Sequence, residues 1–354
     1  MERLDLPQRI INAVKKAKLD NIHTVVCLSA ADIQRATRLS LKDIAILHQV
    51  AGAAIPRPPV QTALELYHSS NGSYLSTGCP ILDKALRGGI TCQGITEITG
   101  ESASGKTQLC LQLCLSVQLP RDCGGLGKGA LYICTEDVFP SRRLQQLIPA
   151  FIKKQNKKTT EHLKPGDHIY IEHATDVEDL RSIIFHRLPL LLNNGKVKLV
   201  VVDSVAALFR VEYSQNETFK RAKALMSFGA QLHKISHQYN VAVICVNQVS
   251  DVVGNNNASS LGCKGVIPAL GLAWSSMVTV RLMLSRTEQF IDVRSIKESS
   301  HNNLVKRNLN VIFAPHLSNI TWPFIVDTDG VHGLPEEFTT GDNRVLKKNE
   351  IKND

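Results

Sequence analysis

Eight consecutive residues, Gly100-Glu101-Ser102-Ala103-Ser104-Gly105-Lys106-Thr107, fit the phosphate-loop pattern G-x-x-x-x-G-K-[S/T] at every fixed position. Loops of this kind turn free backbone N–H groups and a helix N-terminus onto one spot, where a triphosphate is held. The flanks agree. Gly94-Ile-Thr-Glu-Ile-Thr99 alternates like a strand, and Gln108-Leu-Cys-Leu-Gln-Leu-Cys-Leu115 reads as an apolar helix. Lys198-Leu-Val-Val-Val-Asp203-Ser204 has the form of the partner strand, with a terminal aspartate to hold Mg²⁺. In that arrangement Lys106 neutralises the β/γ-phosphates, and Thr107 and Asp203 face the metal. ATP and Mg²⁺ are therefore the expected cofactors. Two further strand ends aim polar groups at the same crevice. Leu131-Tyr-Ile-Cys-Thr135-Glu136 ends in a carboxylate that could polarise an attacking water. Val243-Ile-Cys-Val-Asn247-Gln248 ends in an amide that could sense the γ-phosphate and relay its presence to the loop beyond.

These groups need strand ends on one edge of a sheet. Ala130–Thr135, His168–His173, Lys198–Asp203, Ala242–Asn247, Met277–Leu284 and Leu309–Ala314 are the expected strands, the earlier ones separated by helical segments. That is the pattern of βαβ units and a mainly parallel α/β sheet. Before it, residues 1–50 read as a small helical module. Ile10, Val14 and Ala17 share a helical face, Ser29 and Ser40 are N-cap candidates, and Ile44, Leu47 and Val50 follow at helical spacing. Short helices joined by tight turns suggest a helix-hairpin-helix module, although the turn at Arg38-Leu39-Ser40 lacks the usual glycine. DNA binding and plain packing both remain open for it. Three prolines in Gly52-Ala-Ala-Ile-Pro-Arg-Pro-Pro59 exclude a helix and open a linker over 51–75. Val60-Gln-Thr-Ala63 hangs from that linker, either as a strand to add to another molecule's sheet or as the first turn of a packed helix. The core spans 76–335 and a polar tail 336–354, of which Arg344 to Asp354 is expected to fray.

The chain has 354 residues, 43% apolar and 21% charged, as soluble globular proteins do. A net charge of +9 suits a polyanionic partner. Nine cysteines without a C-x-x-C pair suggest neither a zinc site nor a disulfide framework, and Cys110 and Cys114 read as core. A reducing compartment follows. With no run of 18 apolar residues and no signal-peptide pattern, membrane spanning and secretion are not expected. The run Lys153-Lys-Gln-Asn-Lys-Lys158 is a solvated loop by default and an import signal or nucleic-acid contact by the sharper reading. An N-K-x-D base-reading motif is missing, which disfavours a GTPase, and a small-molecule kinase would be shorter.

Together the phosphate loop, Thr135-Glu136, the Leu199–Asp203 strand, Asn247-Gln248 and Pro268-Ala-Leu-Gly-Leu-Ala-Trp274 resemble the RecA-type strand-exchange ATPases of the eukaryotic recombinase branch, from about residue 60 to 335. The blocks from Ala130 to Leu147 and Phe313-Ala-Pro-His-Leu317 are similar to one paralogue within it. The resemblance implies a RecA-like core and a DNA-dependent ATPase of low turnover. It implies homologous recombination repair of double-strand breaks and cross-links, promoting or stabilising recombinase assembly on DNA. The implied partners are the C-type recombinase paralogue, the strand-exchange recombinase itself and single-stranded or branched DNA, without a membrane. Nuclear work is implied, the cytoplasm is also expected, and the mitochondrion is left open. By position, Glu136 becomes the catalytic carboxylate, Gln248 the γ-phosphate switch, and Arg143 sits over the adenine. A first DNA loop follows Phe209-Arg210, where Arg210, Lys220, Arg221 and Lys223 meet phosphates; a second spans about 250–267, with Lys264 its one lysine and no aromatic ring to stack bases. Weak DNA affinity alone is expected.

Filament-forming members carry Phe-x-x-Ala in the linker, and the matching positions here are Val60 and Ala63. Losing the ring removes an anchor worth about 2 kcal/mol or more, which favours a dedicated partner over self-polymerisation. Two alternatives stand beside this reading: a non-hydrolysing adaptor that uses ATP as a clamp, and a helicase-type motor. Against the motor, Asp203-Ser204-Val205-Ala206 lacks a paired acidic residue, and a second such core does not follow.

Overall fold

A computed structural model describes residues 4–19, 21–55, 60, 62–65, 74–155, 164–251, 266–292, 303–338 and 345–347. The chain divides into two compact units, Met1–Ser70 and Asn71–Asp354.

In the first unit four helices follow one another: α1 (Gln8–Lys16), α2 (Ile22–Cys27), α3 (Ala30–Thr37) and α4 (Leu41–Ala54). Ile10, Ile11 and Val14 of α1 are buried with Ile33, Ile44, Leu47 and Ala51 in one apolar core. The two expected caps are present: the Ser29 and Ser40 hydroxyls accept from the N–H groups of Asp32 and Asp43, each at 3.2 Å. The turn between α3 and α4 is made without glycine, because Arg38 itself takes the left-handed conformation at φ +59°. Further along, residues 63–65 form a helical turn rather than a strand. Thr62 and Glu65 close a capping box: Thr62 N–H donates to Glu65 Oε2 at 2.7 Å, and Glu65 N–H to Thr62 Oγ1 at 3.2 Å. Val60 and Ala63 are exposed beside it.

The second unit begins with β1 (Tyr74–Leu75), α5 (Pro80–Ala85), β2 (Ile90–Thr91), β3 (Ile95–Gly100) and α6 (Lys106–Ser116). β4 (Gly129–Cys134), α7 (Ser141–Lys154), β5 (Ile169–His173), α8 (Val177–Ser182), α9 (Leu188–Asn193) and β6 (Val197–Asp203) come next. Then follow α10 (Val205–Val211), α11 (Thr218–Tyr239), β7 (Ala242–Asn247), β8 (Val249–Asp251), β9 (Val266–Pro268) and α12 (Gly271–Ser275). β10 (Val280–Asp292), β11 (Asn303–Phe313), β12 (Thr321–Asp327), β13 (Gly330–Gly333) and β14 (Val345–Lys347) complete it.

Among the described residues the large sheet has ten strands in the order β13-β12-β11-β10-β3-β7-β6-β4-β5, with β14 added on β10. From β10 to β5 the strands are parallel; β11, β12 and β13 continue antiparallel. The inner parallel strands β4, β6 and β7 are buried on both faces, so their sequences run almost continuously apolar. Ala130, Tyr132 and Cys134 face a core shared with α5, α6 and α7, while Leu131 and Ile133 face one shared with α8 to α12. Cys110 and Cys114 are core residues of the first layer. No helix among the described residues is long and apolar enough to cross a membrane.

Three expectations change. The last two expected strands overlap only the first part of β10 and the last part of β11, which run on well beyond them, and β12 and β13 were not anticipated. Pro323 sits inside β12, where its missing N–H disguises a strand that ends up close to the antiparallel rim. The tail is not wholly frayed, since Val345–Lys347 pairs with Gln289–Ile291 of β10. Lys153 and Lys154 close α7 instead of starting a loop, and 156–158 lie outside the described residues.

Candidate nucleotide-binding site

The site grows out of the end of β3. At Gly100 a Cβ would stand 2.1 Å from the Leu284 carbonyl oxygen, so only glycine lets the chain leave the sheet there. Gly105, at φ +109°, then caps α6, whose first residues are Lys106 and Thr107. The loop opens on a cleft of about 910 Å³ lined by Lys106, Thr107, Glu136, Asp203, Gln248 and Arg307 among others. Gly100, Glu101, Ser102, Ala103 and Gly105 line it too. Ser104 does not: it is fully buried, and its hydroxyl has no partner among the described residues.

The ends of β4, β6 and β7 bring Glu136, Asp203 and Gln248 to this cleft. Thr107 Oγ1 donates to Asp203 Oδ2 at 3.1 Å. The Tyr132 hydroxyl, from the middle of β4, donates to the same oxygen at 2.5 Å. Burial above all pushes the Tyr132 phenol well up, so it stays a donor and fixes the carboxylate. Glu136 is held from two sides: Ser204 Oγ donates to its Oε2 at 3.3 Å, and Gln248 Nε2 to its Oε1 at 2.5 Å. Arg210 donates in turn to Gln248 Oε1 at 3.2 Å. The Lys106 ammonium donates to the carbonyls of Gly100 and Glu101, each at 2.7 Å. Burial pulls its pKa below the usual lysine value, and Asp203 pulls the other way. Gln248 also anchors the segment that follows it. Its carbonyl accepts from Ala269 N–H at 3.0 Å, and β8 pairs with β9 from Val249↔Pro268 to Asp251↔Val266.

The donor set fits the expected cofactors. A hydroxyl and a carboxylate at hydrogen-bond distance are hard oxygen ligands of the number magnesium takes when phosphate and water fill the rest of its shell. Among the described residues no group of three or more His, Cys, Asp and Glu could hold a metal without such help.

Other expected site residues lie elsewhere. Arg143 does not line the cleft: its guanidinium donates to Gln108 Oε1 at 2.7 Å and to the carbonyls of Thr328 (2.9 Å) and Asp327 (2.5 Å), tying α7 to the turn after β12. Lys220, Arg221 and Lys223 sit on the first turns of α11 and not on a loop, and Lys220 pairs with Glu217 at 3.0 Å. The loop shrinks because Ser214 and Glu217 form a capping box that starts helix early. Arg210 ends α10 and is exposed. Lys264 and most of the second expected loop lie outside the described residues. Sequence reasoning missed Tyr132 and Arg307. Tyr132 was findable as the polar tip in an otherwise apolar strand; Arg307 had no local signal.

Residues 70–313 match the family model Rad51. The chain belongs to the Rad51 family. Residues 1–55 match the XRCC3/RpoA-like, helix-hairpin-helix domain, which gives the four-helix unit its class. This Rad51-family chain is 42% identical over 344 residues to "DNA repair protein XRCC3" of Bos taurus, covering 95% of this chain and 98% of the relative. It is 40% identical over 347 residues to the Mus musculus protein of that name, with the same coverage. "DNA repair protein rhp57" of Schizosaccharomyces pombe is 30% identical over 356 residues, covering 92% of this chain and 96% of that one. The chain is thus a RecA-type recombinase paralogue similar to XRCC3.

Proposed function

We propose that this Rad51-family chain acts in DNA repair by homologous recombination, as the ATP-binding, DNA-dependent ATPase subunit of a recombinase-paralogue complex. Its work there is to promote or stabilise recombinase assembly on DNA at double-strand breaks and cross-links. The repair role is supported by relatives named as DNA repair proteins over nearly their whole length. The observation that carries the ATPase reading is the hydrogen bond from Gln248 to Glu136, which ties a carboxylate in the phosphate-loop cleft to the base of the 250–267 segment.

Each residue has a task in that reading. Lys106 and the loop amides bind and orient the phosphates. Thr107 and Asp203 would hold Mg²⁺, which when bound supplies neutralising charge across the phosphates. Tyr132 keeps the Asp203 carboxylate in place. Glu136 polarises the attacking water, and Gln248 and Ser204 hold it in the cleft. Because Gln248 also carries the ladder β8–β9, a change at the phosphates moves the ends of the segment meant for DNA.

The partners are the C-type recombinase paralogue, met through Val60 and Ala63, and the strand-exchange recombinase; DNA is met with Arg210, Lys220, Arg221, Lys223 and Lys264. Nuclear work follows from the repair role, and the relatives' names carry no support for a cytoplasmic or mitochondrial pool. The test is ATP turnover of the chain co-purified with that paralogue, with and without single-stranded DNA. Expected are stimulation by DNA and, for Glu136→Gln, a drop of about 10²- to 10⁴-fold with nucleotide binding kept. Binding without turnover in the wild type would leave the adaptor reading in its place, and strand displacement of a duplex would restore the motor.

A further inference from the structure

Strands β10 and β11 set Arg286 and Arg307 directly opposite each other in register. Like charges in that position repel, and among the described residues neither guanidinium pairs with a carboxylate. Among the described residues Arg307 makes one hydrogen bond, from a terminal nitrogen to the Val305 carbonyl at 3.1 Å, and its buried Nε finds no partner. Burial first, and Arg286 second, draw its pKa below the usual arginine value. A buried donor with nothing to donate to carries a desolvation cost, which an anion would remove.

The anion's place follows from the register. Leu284 of β10 pairs with Gly100 at the start of the phosphate loop and with Leu309 of β11, and Arg307 lies two residues beyond Leu309, on the same face of the strand. Across β12 it pairs with Phe324, whose ring lies 3.4 Å from where a Cβ on Gly105 would stand. The Arg307 side chain accordingly lines the same cleft as Lys106 and Thr107.

We propose that Arg307 is a second phosphate-binding cation of this site, contacting the phosphate chain of a nucleoside triphosphate, with Arg286 behind it strengthening the positive field. The proposal rests on the nucleotide reading above. Equilibrium titration of the full-length chain with fluorescent ATP, ADP and adenosine tests it. Arg307→Gln should weaken ATP by about tenfold to a hundredfold and leave adenosine unchanged, because a charge-assisted pair is lost only where phosphates are present. Arg307→Lys, which keeps the charge without the fork, should recover part of the loss and serves if the glutamine variant does not fold. Arg286→Gln should show a smaller effect of the same sign. Unchanged ATP affinity in Arg307→Gln, or equal weakening of ATP and adenosine, would overturn the proposal alone. So would a loss of single-stranded DNA affinity with ATP affinity intact, which would give the two arginines to a nucleic-acid backbone. A wild-type chain with no ATP affinity would overturn the nucleotide reading and the proposal with it.

Discussion

The parallel and antiparallel halves of the large sheet supply the same cleft in different ways. On the parallel side, β3, β4, β6 and β7 each stop at the cleft, and polar groups sit at or just past the stop: Gly100, Glu136, Asp203 and Gln248. On the other side β10, parallel to β3 and antiparallel to β11, opens the antiparallel half; it and β11 run past the loop, and Arg307 contributes from the middle of a strand. A parallel strand end is a fixed place in such a fold, so a residue's position in the chain predicts where it lies. A residue inside a hairpin is placed by register, and register here depends on irregularities after Arg281 and Arg286 that no residue type announces.

The halves meet at a buried charge. Glu97 of β3 is fully buried and accepts from Arg281 of β10, from Asn247 Nδ2 at 2.7 Å and from Trp274 Nε1 at 2.8 Å. The Arg281 guanidinium also lies 4.9 Å over the Phe313 ring. The largest predicted effect breaks this seam. Arg281→Leu leaves Glu97 buried without its cation and should destabilise the chain by about 3–5 kcal/mol, read by chemical denaturation. An unchanged midpoint would mean that sheet hydrogen bonds alone join the halves. Next comes the parallel half by itself: Lys106→Ala should cost about 2–3 kcal/mol of ATP binding, read by calorimetric titration, with the thermal midpoint unchanged. Retained affinity would move the nucleotide away from the loop. The smallest effect tests the antiparallel half away from Arg307. Trp322 donates to the Leu334 carbonyl at 2.9 Å, and Trp322→Phe should lower stability by about 1 kcal/mol while ATP affinity stays the same. A fall in ATP affinity would show that the whole half, and not Arg307, shapes the cleft.

Much of the site was legible because it depends on local patterns. The phosphate loop needs glycine at two fixed places, and both occupy positive φ with the close approach or cap that explains them. Ser29 and Ser40 declared their helices through three-residue capping contacts. The Thr62–Glu65 box and the Ser214–Glu217 box carry equally local signals; read without them, the segment at Val60–Ala63 stays open between a strand and a first helical turn, and a helix start reads as a loop. The contacts of Arg143 were illegible for another reason. Its carrier helix was expected, but its partners Asp327 and Thr328 lie about 185 residues away in the chain, on a turn after a strand that Pro323 concealed.

By itself the sequence determined the phosphate loop, the carboxylate and amide strand ends around it, the helical first unit and the mainly parallel α/β class of the core. All of these follow from residue type and from spacing within a few turns of chain. Only the tertiary structure decided that Tyr132 fixes Asp203, that Glu97 closes the seam with Arg281, and that Arg307, rather than Arg143, faces the cleft. Those contacts join residues 71 to 184 positions apart, or rest on the register between neighbouring strands. Side-chain direction in a strand changes with every residue, so a register that pattern cannot read decides that Arg307 faces the cleft.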